Sequence, residues 1–261
     1  MVYADLHVHT RRSDGTLTLE TIPDAARAAG VAVVAVTDHD RFHPDFDGPV
    51  VERDGVTVIH GIELRVEGPH GRVDLLGYGL EPTEALRTEV ERIQRDRRER
   101  GRAIVGCVED RLGIDLDVGI REGLGRPHVA RAIEDHPDTA LDYDDAFAEL
   151  IGNDGPCFVA RDVPSFERGQ AVLDDACALV GLAHPFRYDD PEAALTLTAD
   201  LDAVEGYYPY DRPVDESPIE DAVREHDLLV TGGSDAHGRT LGAAGLSAAD
   251  YEPIERRLDR R

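Results

Sequence analysis

The stretch VAVVAVTDHD, residues 31–40, opens with an unbroken apolar run and closes on Thr-Asp-His-Asp. A strand with one wet face alternates apolar and polar residues. A run with no polar break belongs to a parallel sheet covered on both faces. The polar end places Asp38 and His39 where that strand leaves the sheet. Other segments repeat the pattern. VYADLHVH (2–9) reads as a strand with Asp5, His7 and His9 on one side, because successive side chains alternate. VTVIHGIEL (56–64) carries Glu63 and RVDLLGYGL (72–80) carries Asp74. ALVGLAH (178–184) ends in His184, and LLVTGGSDAH (228–237) ends in Asp235 and His237. DAVEGYYP (202–209) is a further strand.

Helical patterns lie between these runs. LTLETIPDAARAAG (17–30) sets Leu19, Ile22, Ala26 and Ala29 on one face and stops at Gly30. Further helices are expected near 165–177, 190–199 and 216–226, with a short charged helix at the end. Residues 83 to about 152 are mostly helical and highly charged. Alternation of this kind implies a parallel sheet. Metal-capable residues stand at or near the C-terminal ends of six of its strands, and a closed barrel brings such ends to one mouth. An open sheet gathers only those near its switch point, and no Gly-rich phosphate loop follows the first strand. The expectation is an α/β fold, a TIM-like barrel forming one domain over residues 1–261, with a helical insertion at about 83–160.

Acidic residues outnumber basic ones 54 to 28, every basic residue is Arg, and the formal charge is −26. Disorder is excluded because apolar residues make up 41% and run in regular patterns. Such a charge destabilises a compact state unless salt screens it, which points to a salt-adapted cytoplasm. The Arg-only usage resembles the composition of halophilic archaea. Phosphate backbones would be repelled, so no extended nucleic-acid surface and no membrane surface are expected. RIQRDRRERGR (92–102) is flanked by Glu89 and Glu91 and interrupted by acids, and reads as a solvated helix face. No signal peptide or membrane-length apolar run is seen, and a cytoplasmic location is expected. Cys107, Cys157 and Cys177 lie far apart without a C-x-x-C, and are expected to be small buried hydrophobes, not a disulfide framework.

The ordered set DLHVHT, SDG, TDHD, GIEL, RPH, AHP and GSDAH resembles the PHP (polymerase and histidinol phosphatase) domain over essentially the whole chain. It is most similar to stand-alone phosphoesterases with a helical insertion, among them nucleoside 3′,5′-bisphosphate phosphatases that also trim short RNA. The resemblance implies a distorted (β/α)7 barrel and two or three divalent ions, Mn, Fe or Zn. It implies His7 and His9 as ligands of a first ion, Glu63 as the bridge to a second, and Asp235 as a further ligand of the first. His184 matches a ligand of the second ion, and Asp14, His39 and His237 match a third site. His128 matches an active-site histidine. Asp5 is expected to orient an imidazole. One departure stands out: the relatives usually have His where this chain has Asp74.

The implied reaction is hydrolysis of a phosphate monoester of a small metabolite by a metal-activated hydroxide. A 3′,5′-bisphosphonucleotide or a short 5′-phosphorylated oligonucleotide is the first expectation. Arg126 and Arg187 are candidate phosphate clamps, His237 or His128 the leaving-group acid, and Ser13 and Ser234 additional donors. The alternatives are histidinol-phosphate phosphatase, cyclic phosphodiesterase, metal-dependent C–N hydrolysis and a non-catalytic metal-binding module.

Overall fold

The computed structural model describes residues 1–260, and the chain forms two compact units. The first comprises Met1–Glu89 and the chain from Val163 onward; the second is Val90–Asp162. The strands are β1 (Ala4–Val8), β2 (Val33–Val36), β3 (Val50–Arg53), β4 (Val56–Gly68), β5 (Gly71–Tyr78), β6 (Leu179–Leu182), β7 (Ala203–Tyr207) and β8 (Leu229–Gly232). The helices are α1 (Ile22–Ala29), α2 (Glu84–Leu112), α3 (Arg126–Glu134), α4 (Tyr143–Ala146), α5 (Phe166–Ala176), α6 (Pro191–Leu195), α7 (Ser217–His226) and α8 (Ala248–Leu258).

All eight strands lie in the first unit and form one sheet, ordered β1-β2-β4-β5-β6-β7-β8 with β3 beside β4. The sheet curls until the chain beyond β8 meets β1. Val8 bridges Ala236 in parallel, with His9 N donating to Ala236 O at 3.0 Å and Ala236 N to His7 O at 3.3 Å. The fold is therefore α/β, a distorted barrel. β2 shows why its sequence is apolar throughout. Val33 and Ala35 pack inside with Leu6, Ile59, Leu76 and Tyr78. Val34 and Val36 pack outward with Ile22 and Ala26 of α1. Each such Val or Ile, fully buried, contributes roughly 1.5–3 kcal/mol, so a charge at Val34 would separate α1 from the sheet.

The sheet is not all parallel. β5 runs antiparallel to both β4 and β6, whereas the other pairs along the barrel are parallel. β4 and β5 form a hairpin in register from Gly61↔Tyr78 to Gly68↔Gly71. Parallel neighbours need a crossover of about a dozen residues or more, and this connection has no room for one. The reversal also moves Asp74. It lies in the N-terminal half of β5, yet that half faces the same mouth as the C-terminal ends of the parallel strands.

α1 begins later than its periodicity suggests, because Leu17 is held in a bridge with Thr10. It ends as expected at Gly30, whose φ of 72° is the left-handed conformation that glycine adopts without strain. The helix expected near 190–199 is α6 followed by a tighter turn, Thr196–Asp200.

In the second unit, Ile104 and Val108 of α2 pack with Val129, Ala130 and Ile133 of α3 and with Leu150 and Ile151. Cys107 and Cys157 are joined in a disulfide across 50 residues of chain. This corrects the reading of all three cysteines as lone buried hydrophobes; only Cys177 remains a buried thiol. The pairing is set by the packing of α2 against the segment after Ile151, which no local spacing encodes.

Candidate metal centre

The barrel mouth gathers polar side chains that are far apart in sequence. His7, His9, Glu63, Asp74 and His184 are almost fully buried. Three imidazoles converge on one oxygen: Glu63 Oε2 is 2.5 Å from His39 Nδ1 and 3.5 Å from both His7 Nε2 and His9 Nε2. Its other oxygen is 3.0 Å from His184 Nε2. Asp235 Oδ1 lies 2.9 Å from His9 Nε2 and 3.5 Å from His7 Nε2. Asp14 faces His237 Nε2 at 3.3 Å and His39 Nε2 at 3.9 Å. Asp74 Oδ2 is 3.9 Å from His184 Nε2.

Four groups within this cluster have ligand atoms within 4.8 Å of one another, close enough to hold a cation: His9, Asp14, His39 and His237; His7, His9 and Glu63; His7, His184 and Asp235; and Glu63, Asp74 and His184. The residues fit a bound metal on a second ground. His7 Nε2 is buried and makes no hydrogen bond, although it lies 3.5 Å from both Glu63 Oε2 and Asp235 Oδ1. A buried polar atom without a partner is costly, and one that faces two carboxylates suits a cation held between them. The proton equilibria agree. Burial raises the Glu63 pKa, but the facing His39 and His7 and the hydrogen bond from His184 outweigh it and hold the carboxyl well below its usual range. Burial lowers the His39 pKa, but Glu63 and Asp14 pull it up to about 9. The carboxylates thus draw protons onto imidazoles at the places a divalent ion would take.

The backbone carries some of this geometry under strain. His184 has φ 26° and Asp235 φ 49°, left-handed values that side chains other than glycine rarely adopt. Gly233 permits β8 to reach β1: a Cβ there would lie 2.3 Å from His7 N.

Three buried carboxylates act as supports. Glu205, on β7, contacts His7 Nδ1 at 3.0 Å and accepts the His184 amide at 2.7 Å. Sequence reasoning missed it; the signal was an acid inside the apolar run DAVEG. Asp5 was expected to orient an imidazole and does not. It accepts from Ser234 N and Oγ at 2.9 and 2.5 Å and from Gly242 N at 2.8 Å, tying β1 to the closing loops. Asp38 accepts from the amides and hydroxyls of Thr10 and Ser13, which fixes the turn leading to Asp14. The hydroxyls of Ser13 and Ser234, expected as phosphate donors, are therefore committed to buried carboxylates.

Arg187 reaches this mouth. Its Nη1 donates to Tyr208 Oη and Asp235 Oδ2, each at 2.9 Å, and its side chain is 53% exposed. Arg126 and His128 belong to the second unit and to none of the four groups. Arg126 donates to Ile151 O at 3.1 Å and Asn153 Oδ1 at 3.0 Å, and His128 Nδ1 accepts the Gly125 amide at 3.2 Å.

A distorted barrel with histidines and carboxylates massed at its mouth defines a metal-dependent hydrolase. The sequence pattern of the PHP domain matches residues 5–155, and the chain belongs to that family. It is 31% identical over 203 residues to the 3′,5′-nucleoside bisphosphate phosphatase of Chromobacterium violaceum, covering 72% of this chain and 69% of that one. It is 28% identical over 249 residues to the phosphoribosyl 1,2-cyclic phosphate 1,2-diphosphodiesterase of Eggerthella lenta, covering 90% and 94%. A crystal structure described as a metal-dependent phosphoesterase, from Bifidobacterium adolescentis, superposes with a TM-score of 0.78 at 25% identity, covering 98% and 96%. The protein is thus an enzyme of the metal-dependent phosphoesterase class. Among the described residues, no helix is long and apolar enough to cross a membrane.

Proposed function

We propose that this enzyme removes phosphate from a small phosphorylated nucleotide, with a 3′,5′-bisphosphonucleotide as the first substrate. In this reading His7, His9, Asp14, His39, Glu63, Asp74, His184, Asp235 and His237 hold two or three divalent ions. The mixed imidazole and carboxylate set suits Mn, Fe or Zn. The observation that carries the reading is the convergence of His7, His9 and His39 on Glu63 Oε2, with His7 Nε2 left without a hydrogen bond. When bound, such ions neutralise phosphate oxygens and acidify water.

The chain's own groups do the rest. Arg187 engages Asp235 and Tyr208 through Nη1 alone, which leaves its other guanidinium donors for a phosphate oxygen. His237 has its Nδ1 2.9 Å from Asp235 O, and its Nε2 faces Asp14. Facing Asp14 and Asp235 raise its pKa despite burial, and an ion held at that corner would take the place of this proton. Arg126 is retained as a phosphate-binding candidate for its guanidinium at the start of α3, and His128 on the family resemblance. The choice of a bisphosphonucleotide is supported by the name of the Chromobacterium violaceum relative.

The second reading, a cyclic phosphodiesterase, is favoured by the relative from Eggerthella lenta, whose similarity extends over 90% of this chain. One experiment separates them. Inorganic phosphate release is measured from 3′,5′-bisphosphoadenosine and adenosine 5′-monophosphate, and ring opening of a ribose 1,2-cyclic phosphate to its monoester is followed by phosphorus NMR, with Mn²⁺ and molar KCl to screen the −26 charge. Release from the bisphosphate, lost in His237→Ala, is expected. Turnover of the cyclic phosphate alone would favour the second reading, and no turnover by folded, metal-loaded protein would sink both.

A further inference from the structure

Arg65 and Asp74 face each other directly across the β4–β5 hairpin, as a registered pair. Arg65 Nε donates to Asp74 Oδ1 at 2.7 Å, and Nη2 makes a short contact with Oδ2. Asp74 is 1% exposed and cannot turn away. Its amide donates to Tyr188 Oη at 2.8 Å, and Tyr188 donates in turn to Ala183 O at 3.0 Å, beside His184. Arg65 is the freer partner, with a side chain 37% exposed.

The oxygen that Arg65 Nη2 holds is the one aimed at the metal-capable corner. Asp74 Oδ2 is 3.9 Å from His184 Nε2, and His184 Nε2 is 3.0 Å from Glu63 Oε1. A cation placed among Glu63, Asp74 and His184 would have to share Oδ2 with a guanidinium or displace it. Two cations on one carboxylate oxygen repel each other strongly in so buried a place.

We propose that Arg65 competes with a divalent ion for Asp74 Oδ2, and so sets the affinity of the Glu63–Asp74–His184 corner. This rests on the reading of the cluster as a metal centre. With no ion in the corner, Arg65 neutralises Asp74, which would otherwise be a buried, unpaired carboxylate. With an ion present, the partly exposed Arg65 side chain gives way toward solvent. The corner is therefore the last to load and the first to empty.

The test is a Mn²⁺ titration read by the paramagnetic resonance of free Mn²⁺, together with the melting temperature of the metal-free protein. Arg65→Met keeps the stem and removes the charge. It is expected to tighten the weakest class of Mn²⁺ about tenfold or more while leaving the tighter classes unchanged. It is also expected to lower the metal-free melting temperature. Adding Asp74→Asn to that variant should abolish the gain. Arg65→Lys keeps a charge but loses the paired geometry, and should fall between wild type and Arg65→Met; it serves as the test if Arg65→Met fails to fold without metal. Unchanged or weaker Mn²⁺ binding in folded Arg65→Met, or in Arg65→Lys where that variant serves, would overturn the proposal and leave the metal reading standing. Wild type that binds no Mn²⁺ would overturn both.

Discussion

Glu205 Oε1 lies 3.0 Å from Nδ1 of His7, although 198 residues separate the two in the chain. The contact turns the other ring nitrogen of His7, Nε2, toward Glu63. A carboxylate on the far side of a ligating imidazole fixes its tautomer and raises its basicity. Both residues are fully buried, so the arrangement does not depend on solvent. Glu205→Gln keeps the shape but loses the charge. It is expected to weaken Mn²⁺ binding by about 10–100-fold, the usual effect of removing such a partner. Titration of the folded variant checks this, and wild-type affinity would show that Glu205 only packs.

How far the sequence was legible follows from the range of each interaction. The unbroken run Val31–Val36 announced a strand buried on both faces, and Gly30 announced the end of α1, because both signals are local. The β5 reversal was also legible. Only a few residues separate VTVIHGIEL from RVDLLGYGL, too few for a parallel crossover, but the alternation elsewhere hid this. Glu205, the support of His7, was visible only as an acid within an apolar strand. The Arg65–Asp74 pair needed the hairpin register, and the Cys107–Cys157 pair needed tertiary packing. The ligand-type residues were conspicuous because buried His, Asp and Glu at strand ends demand an explanation; which of them meet at Glu63 could not be read from spacing.

His60 gives the molecule an acid-sensitive point away from the cluster. Its ring stacks on Phe46 at 4.3 Å and meets Phe42 edge-on, and burial lowers its pKa to about 4. The folded-state pKa lies below the unfolded value of about 6.5, so the unfolded chain binds the proton first. His60 therefore contributes no pH dependence above that value. As pH falls from about 6.5 toward about 4, it costs the fold up to about 3 kcal/mol, roughly 2 of them by pH 5. His60→Phe should lose less stability than wild type between pH 7 and pH 5. Urea unfolding of metal-free protein at both pH values measures the difference; equal losses would refute it.

The disulfide makes a prediction for the second unit alone. That unit, Val90–Asp162, has a small core of its own, centred on Ile104, Val108, Val129, Ile133 and Ile151. Closing a loop across 50 residues restricts the unfolded chain by about 4 kcal/mol in the chain-entropy account. For so small a core that is a large share of its stability. Titration of the denatured, unreduced protein should find one thiol per chain, Cys177, and three after reduction. The double variant Cys107→Ala/Cys157→Ala should increase hydrogen exchange in α3 and the lower half of α2, and leave β1, β2 and β4 protected, because the barrel has its own core. Unchanged exchange in α3 would show that apolar packing alone holds the unit together, and exchange rising equally in β1 and β2 would show that the two units do not unfold independently.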